Sequence, residues 1–226
     1  MDEQWNILGT AGLQFFGKMS ASLSHEIKNV LATMNEDAGL IQDYSALALE
    51  GRPLDPERMK AIAGKIRDQV QRADRMVKNL NRLAHSVDAF EDRIDVAELV
   101  TFLIVLCRRI ASVRGVTLEW HPPAGPVNIS TNPFFLKNLL WLCLDFAMAA
   151  AGEGKRVVLS VEKKGEGVGI IMGGLEAMAG AGEGPVPSEK VRALLDAVGA
   201  ECRTDAASGV LAITLLGRSL SQGPVE

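Results

Sequence analysis

Two long runs with the apolar rhythm of a helix, split by one proline-bearing turn, constrain this chain more than any other feature. From about Gly9 to Leu49 there is no proline. Phe16, Leu23, Ile27, Val30, Met34 and Ile41 recur at spacings of three, four and seven, which puts them on one stripe. Glu50-Gly-Arg-Pro-Leu-Asp-Pro56 reads as a turn, with Asp55 as N-cap and Pro56 at the first position of a second helix. That helix carries Met59, Ile62, Ile66, Val70, Ala73, Val77, Leu80, Ala84 and Val87, a seam of roughly four heptads. A lone pair of antiparallel helices with such stripes leaves apolar surface in water. Two hairpins joined as a four-helix bundle bury it, so the pattern predicts a homodimer.

Past Asp92 the pattern changes, which divides the chain into residues 1–90 and 91–226. Val96 to Val113 reads as a helix, Val116 to Trp120 as a strand and Val127 to Ile129 as a second short strand. Asn132-Pro133 opens another helix that runs to about Ala151. Arg156 to Glu162 and Val168 to Met172 form a hairpin pair, and Gly173 to Pro187 is a Gly/Ala-rich loop. Ser188 caps a helix to about Val198, and Glu201 to Thr204 with Val210 to Leu216 make the last hairpin. The expected fold class is α+β: the long helical hairpin, then a sandwich of one mixed sheet with helices on one face.

Charge and composition narrow the function. A net charge of −4 and a pI near 5.5 argue against a nucleic-acid binder. Cys107, Cys143 and Cys202 are odd in number, far apart in sequence and without metal-ligand spacing, which suits a reducing compartment. Met-Asp-Glu-Gln-Trp5 lacks the basic start of a signal peptide. The longest apolar run, Phe134 to Ala151, contains Lys137, Asn138 and Asp145, and reads as a buried helix instead of a membrane span. A soluble, cytoplasmic protein is expected.

The chemistry centres on His25. It lies two residues from both Leu23 and Ile27, so at about 100° per residue it leaves the apolar stripe and faces water. Asn29 is one turn on and Ala21 one turn back, on the same face, with Glu26 adjacent. An exposed imidazole beside a carboxylate and an amide is a platform for accepting or passing on a phosphoryl group. His85, near the end of the second helix, suits the C-terminal dipole, and His121 is an ordinary strand-end residue. Gly180, Gly182 and Gly184 have no strand before them and no helix with a lysine after them in phosphate-loop fashion, so they read as a flexible connection.

Ser24-His25-Glu26-Ile27-Lys28-Asn29-Val30-Leu31 resembles the H-box of bacterial sensor histidine kinases. In that family the box sits on the first helix of a dimeric hairpin, the DHp domain, followed by an ATP-binding α/β domain. Ile94 to Leu99, Arg114-Gly-Val-Thr-Leu118 and Leu136 to Ala150 resemble the start, first long strand and N-box helix of that second domain. The departures are informative. Where the family's N-box asparagines hold magnesium and phosphates, this chain has Leu142 and Phe146, which offer no oxygen to a hard cation. Where an aspartate reads adenine, the segment is Gly169-Ile-Ile-Met172-Gly-Gly-Leu175, without a carboxylate; Pro185 to Lys190 replaces the glycine-rich lid. Leu142, Phe146 and Met172 thus mark a degenerate nucleotide site, with the first two expected in the core.

An intact H-box with a degenerate ATP domain resembles the dimeric histidine phosphotransferases of phosphorelays. The resemblance implies that His25 accepts a phosphoryl group from one response-regulator aspartate and passes it to another, with no cofactor held by this chain and magnesium brought by the regulator. It gives Glu26 an orienting or proton-accepting role and Asn29 the positioning of a water. Ala21, Ser24, Lys28 and Ala32 would meet the receiver domain. A regulator phosphatase and a non-catalytic pseudokinase are the alternative readings, and an ATP-dependent autokinase is disfavoured. No nucleic acid or membrane partner is expected.

Overall fold

The computed structural model describes residues 2–165, 167–180 and 188–216. Helix α1 spans Asp2–Leu49 and α2 spans Pro56–Ala84, followed by a 3-10 turn at His85–Val87. Then come β1 (Asp92–Asp95), α3 (Val96–Val113), β2 (Thr117–His121), β3 (Asn128–Thr131), α4 (Pro133–Ala150), β4 (Arg156–Lys164) and β5 (Gly167–Gly173). A 3-10 turn at Glu176–Gly180, α5 (Glu189–Val198), β6 (Ala200–Asp205) and β7 (Val210–Leu215) complete the order. By compactness there are two units: Met19–Ala84, and α1 up to Lys18 together with everything from His85 onward.

In the hairpin unit the expected turn chemistry is present. The Asp55 carboxylate accepts from the backbone N–H of Glu57 and Arg58, at 3.0 and 3.3 Å, with Pro56 at the first helical position. Glu26 meets Arg72 and Tyr44 meets Arg58, so progress along α1 is matched by retreat along α2 and the two helices run antiparallel. Leu23 and Val30 of α1, and Ile62, Met76 and Leu83 of α2, are buried. The α2 seam differs from the expected one. Val70 and Val77 remain 48% and 44% exposed, while Met76 and Leu83, absent from the expected seam, are buried. The apolar face of α2 is broader than one partner helix can cover. Asp37, seven residues after Val30, is buried as well, and its Oδ2 has no hydrogen-bond partner among the described residues.

The second unit is a sandwich. Its main sheet has the order β2-β4-β5-β7-β6, with β2 and β4 parallel and the other pairs antiparallel. A parallel pair needs a crossover, which α4 lies within. Val157, Leu159 and Val161 of β4 alternate inward with Val168, Ile170 and Met172 of β5 and Leu211, Ile213 and Leu215 of β7, all buried. Helix α4 packs on β4 and β5, and against α3 and α5. Its N-cap is Asn132, whose side chain accepts from the N–H of Phe134 and Phe135. Helix α5 ends on Gly199 at φ 66°, a left-handed conformation that disfavours any residue with a Cβ. Helix α4 is long and apolar enough to cross a membrane by composition, yet 67% of it is buried within the protein.

Four expectations are corrected. The sheet is not single: β1, unforeseen, pairs antiparallel with β3 as a separate two-stranded ribbon. The span 173–187 is not wholly loop, since Leu175 and Met178 are buried around the turn at Glu176–Gly180; residues 181–187, with Gly182, Gly184 and Pro185, lie outside the described residues. Helix α1 begins at Asp2 instead of Gly9. Its first turns are held by aromatic contacts, Trp5 on Phe135 at 6.5 Å and Phe15 on Phe134 at 5.7 Å between ring centroids. For the same reason packing does not divide the chain at residue 90: Leu8, Ala11 and Phe15 are buried in the sandwich unit. Gly12 allows the close approach, because a Cβ there would stand 3.0 Å from the Phe134 ring.

Phe15 is 1% exposed, so Phe15→Ala should destabilise the sandwich unit by about 3–5 kcal/mol. Urea unfolding followed by the fluorescence of the tryptophans would read the loss. A change under about 1 kcal/mol would mean that α1 is not part of that core.

Candidate functional site

The site lies on α1 within the hairpin unit. An uninterrupted helix from Asp2 to Leu49 fixes the spacing of its side chains, and the buried Leu23 and Val30 fix which face points inward. His25 is therefore exposed, together with Ala21, Ser24, Lys28, Asn29 and Ala32. All six were expected on the outer face. The Asn29 backbone carbonyl accepts from Thr33 Oγ1 at 3.2 Å, and the Asn29 residue is exposed.

Glu26 behaves differently from its neighbours. It turns toward α2, where a carboxylate oxygen stands 3.6 Å from an Arg72 guanidinium nitrogen. Its side chain is 20% exposed and that of Arg72 is 54% exposed. The distance is long and the arginine is half in water, so the pair is worth at most about 1 kcal/mol. Its consequence is directional: the guanidinium draws the carboxylate toward α2. Arg72 was not singled out from the sequence. Which residue of α2 faces Glu26 depends on the register across the turn at residues 50–55, and no local pattern encodes that.

The residues expected to mark a degenerate nucleotide site divide. Met172 is fully buried in β5. Leu142 and Phe146 are only half-buried, contrary to the expectation that both belong to the core. The core face of α4 is taken by Leu136, Leu139, Leu140, Cys143, Leu144 and Ala147, and residues 142 and 146 fall on its outer side. There they present hydrocarbon, and no oxygen for a metal or a phosphate-bound magnesium ion. The chain's own residues at these positions therefore do not fit a magnesium nucleotide. Among the described residues no group of three or more His, Cys, Asp or Glu side chains comes together as metal ligands.

His85 and His121 have ordinary partners. His85 Nδ1 is 2.8 Å from Asp88 Oδ2, and His121 Nε2 is 2.6 Å from Glu119 Oε1. The cysteines hold a surprise. Cys143 of α4 and Cys202 of β6, distant in sequence, are hydrogen-bonded. That bond, with burial added, pushes the Cys143 thiol well up, while the same bond draws Cys202 down against a smaller effect of burial. Burial first, with Asp145 nearby, pushes the Cys107 thiol far above the usual range. All three cysteines are unbridged.

No family model and no curated protein matches this sequence. Among solved structures the chain is similar to the histidine kinase AdeS of Acinetobacter baumannii, at 13% identity over 86% of this chain and 98% of that one, with a TM-score of 0.46. It is also similar to the histidine kinase ThkA in its complex with the response regulator protein TrrA, at 16% identity over 90% of this chain and 62% of that one, TM-score 0.44. The cytoplasmic segment of the histidine kinase QseC is similar at 17% identity over 66% of this chain and 95% of that one, TM-score 0.41.

A double-mutant cycle of Glu26→Ala and Arg72→Ala should return a coupling of about 0.2–1 kcal/mol in urea unfolding. The coupling should shrink in 1 M salt. No coupling at low salt would separate Glu26 from Arg72 and remove the orienting contact.

Proposed function

We propose that this chain is a phosphorelay phosphotransfer protein that takes a phosphoryl group onto His25 from a response regulator's aspartate and hands it to another. The observation that carries this reading is the exposed His25, in the sequence Ser24 to Leu31, on the outer face of a helical hairpin with Asn29 one turn away. In the transfer an unprotonated ring nitrogen of His25 forms the N–P bond while the P–O bond to the partner's carboxylate breaks and that carboxylate leaves. The second ring nitrogen keeps its proton or yields it to water or Glu26. The return step reverses these bonds toward a second carboxylate. Such a transition state is loose and in line, so positioning and charge supply most of the catalysis. Glu26 is the group assigned to orient the ring or to take its proton. Magnesium belongs to the regulator's acidic pocket in this reading, because Leu142 and Phe146 offer this chain's α4 no means to hold it.

A receiver domain would meet the exposed patch around His25. Ala21 and Ala32 are small enough to admit a partner helix, and Lys28 adds a positive charge toward the phosphoryl oxygens. Asn29 favours a second outcome at the same patch. An amide one turn from the imidazole can orient a water for hydrolysis, which would make the protein a regulator phosphatase. A dimeric bundle is part of the proposal. Leu31, Leu40, Val70 and Val77 are among the exposed apolar side chains of the hairpin, and a second copy would cover them.

Incubation with a receiver domain carrying 32P-aspartyl phosphate should move acid-labile label to His25, and His25→Ala should abolish it. Absence of label on the wild type sinks the phosphotransfer reading. If Asn29→Ala stops loss of phosphate from the regulator while His25→Ala does not, the phosphatase reading replaces it.

Sedimentation should give twice the 24.2 kDa of one chain, and Val70→Glu with Val77→Glu should shift the species toward monomer by at least about tenfold in dissociation constant. A wild-type monomer at micromolar concentration would remove the bundle from the proposal.

A further inference from the structure

The sandwich unit has a cavity that plays no part in chemistry at His25. It has a volume of about 250 Å³ and is framed by α1 up to Lys18, the end of α3, the outer side of α4 and the first turn of α5. Lys18, Arg114 and Lys190 bring three positive charges to it, against one carboxylate, Asp145. Arg114 is committed to that carboxylate: Nη2 donates to Asp145 Oδ1 at 2.6 Å and Nη1 to the Asp145 carbonyl at 3.1 Å. Lys190 Nζ donates to the neutral Gln14 Oε1 at 2.7 Å, which leaves its charge uncompensated. Lys18 has no ion partner among the described residues. The cavity therefore keeps an excess of positive charge.

Asn138 supplies an independent observation. It belongs to the wall of this cavity and is 0% exposed, yet neither Oδ1 nor Nδ2 has a hydrogen-bond partner among the described residues. A buried amide with both ends unmet is a costly arrangement unless something else completes it. Lys190 also lies in the first turn of α5, whose N-cap Ser188 makes no side-chain hydrogen bond. The unpaired N–H groups of such a turn favour an anion. Trp141 and Leu142 add apolar surface beside the charges. The volume is below the roughly 300–1,000 Å³ of pockets for drug-sized ligands, so the ligand is small.

We propose that this cavity, walled by Lys18, Asn138, Trp141, Leu142 and Lys190, is a binding site for a small phosphate-bearing molecule. The two lysines take the phosphate oxygens, the Asn138 amide meets a polar atom of the ligand, and the Trp141–Leu142 surface takes a short carbon skeleton. The site includes Leu142 but neither Phe146 nor Met172, and its one carboxylate is held by Arg114, so it is not arranged for a magnesium nucleotide. It is independent of phosphotransfer at His25 and stands or falls separately.

The test is equilibrium binding to the full chain with two probes, inorganic phosphate and glycerol 3-phosphate, at constant ionic strength. Saturable binding of one equivalent per chain is expected, and it should persist in His25→Ala. Tighter binding of glycerol 3-phosphate identifies an organic monoester as the ligand, and equal or tighter binding of inorganic phosphate identifies free phosphate. Lys18→Gln with Lys190→Gln should weaken either by at least about tenfold. Asn138→Leu should raise Tm without ligand, because the unmet amide is removed, and should weaken binding. No saturable binding, binding unchanged in the double lysine variant, or binding lost in His25→Ala would each overturn the proposal.

Discussion

The burial of α4 is the constraint on which the sandwich unit depends. Leu136, Leu139, Leu140, Cys143, Leu144 and Ala147 are all wholly buried, an arc of roughly 140° around the helix axis at about 100° per residue. The sheet closes one side through β4 and β5, and α3 and α5 flank it. The start of the helix is closed by α1, through Phe15 on Phe134 and Trp5 on Phe135. A sheet with helices on one face usually leaves the outer side of those helices to water. Here α1 up to Lys18 covers part of it, so one helix contributes to two compact units.

Much of this fold is legible in the sequence, and the reasons are local. The Asp55-Pro56 and Asn132-Pro133 pairs announce helix starts because cap and proline act within one turn. The bounds of α3 and the strand alternation of β4, β5 and β7 follow from periodicity alone. What escapes depends on contacts between distant residues. β1 is four residues long and half-exposed, and its strand character comes from pairing with β3. Trp5 and Leu8 carry no helical signal strong enough to override Gly9 and Gly12; their order comes from Phe134 and Phe135, more than a hundred residues away. Met76 and Leu83 were missed as seam residues because α2 carries more apolar positions than one stripe needs, and only the geometry of the hairpin selects among them.

The candidate site shows the same division. His25, Asn29 and their small neighbours are legible because a helix places residues three and four apart on one face. Arg72 is not, because a hairpin's register is set by its turn and its core together. Leu142 and Phe146 illustrate a limit of composition. Apolar residues suggest a core, but on a helix already buried on most sides the remaining positions can be apolar and still half-exposed. Asn138 is the converse, a polar residue that is wholly buried.

Apolar exposure at 142 and 146 and polar burial at 138 follow from one geometry, the rotation of α4 about its axis. The turn that sends Leu139, Leu140, Cys143 and Leu144 into the core carries residues 138, 141, 142 and 145 toward α1, α3 and α5. Electrostatics on that side is set by Lys18 and Lys190, because the Arg114–Asp145 pair cancels itself. A hard cation is repelled there twice over, by two lysines and by the lack of free carboxylate, whereas an anion is favoured. The outer side of α4 therefore joins apolar surface from Trp141 and Leu142 to an excess of positive charge.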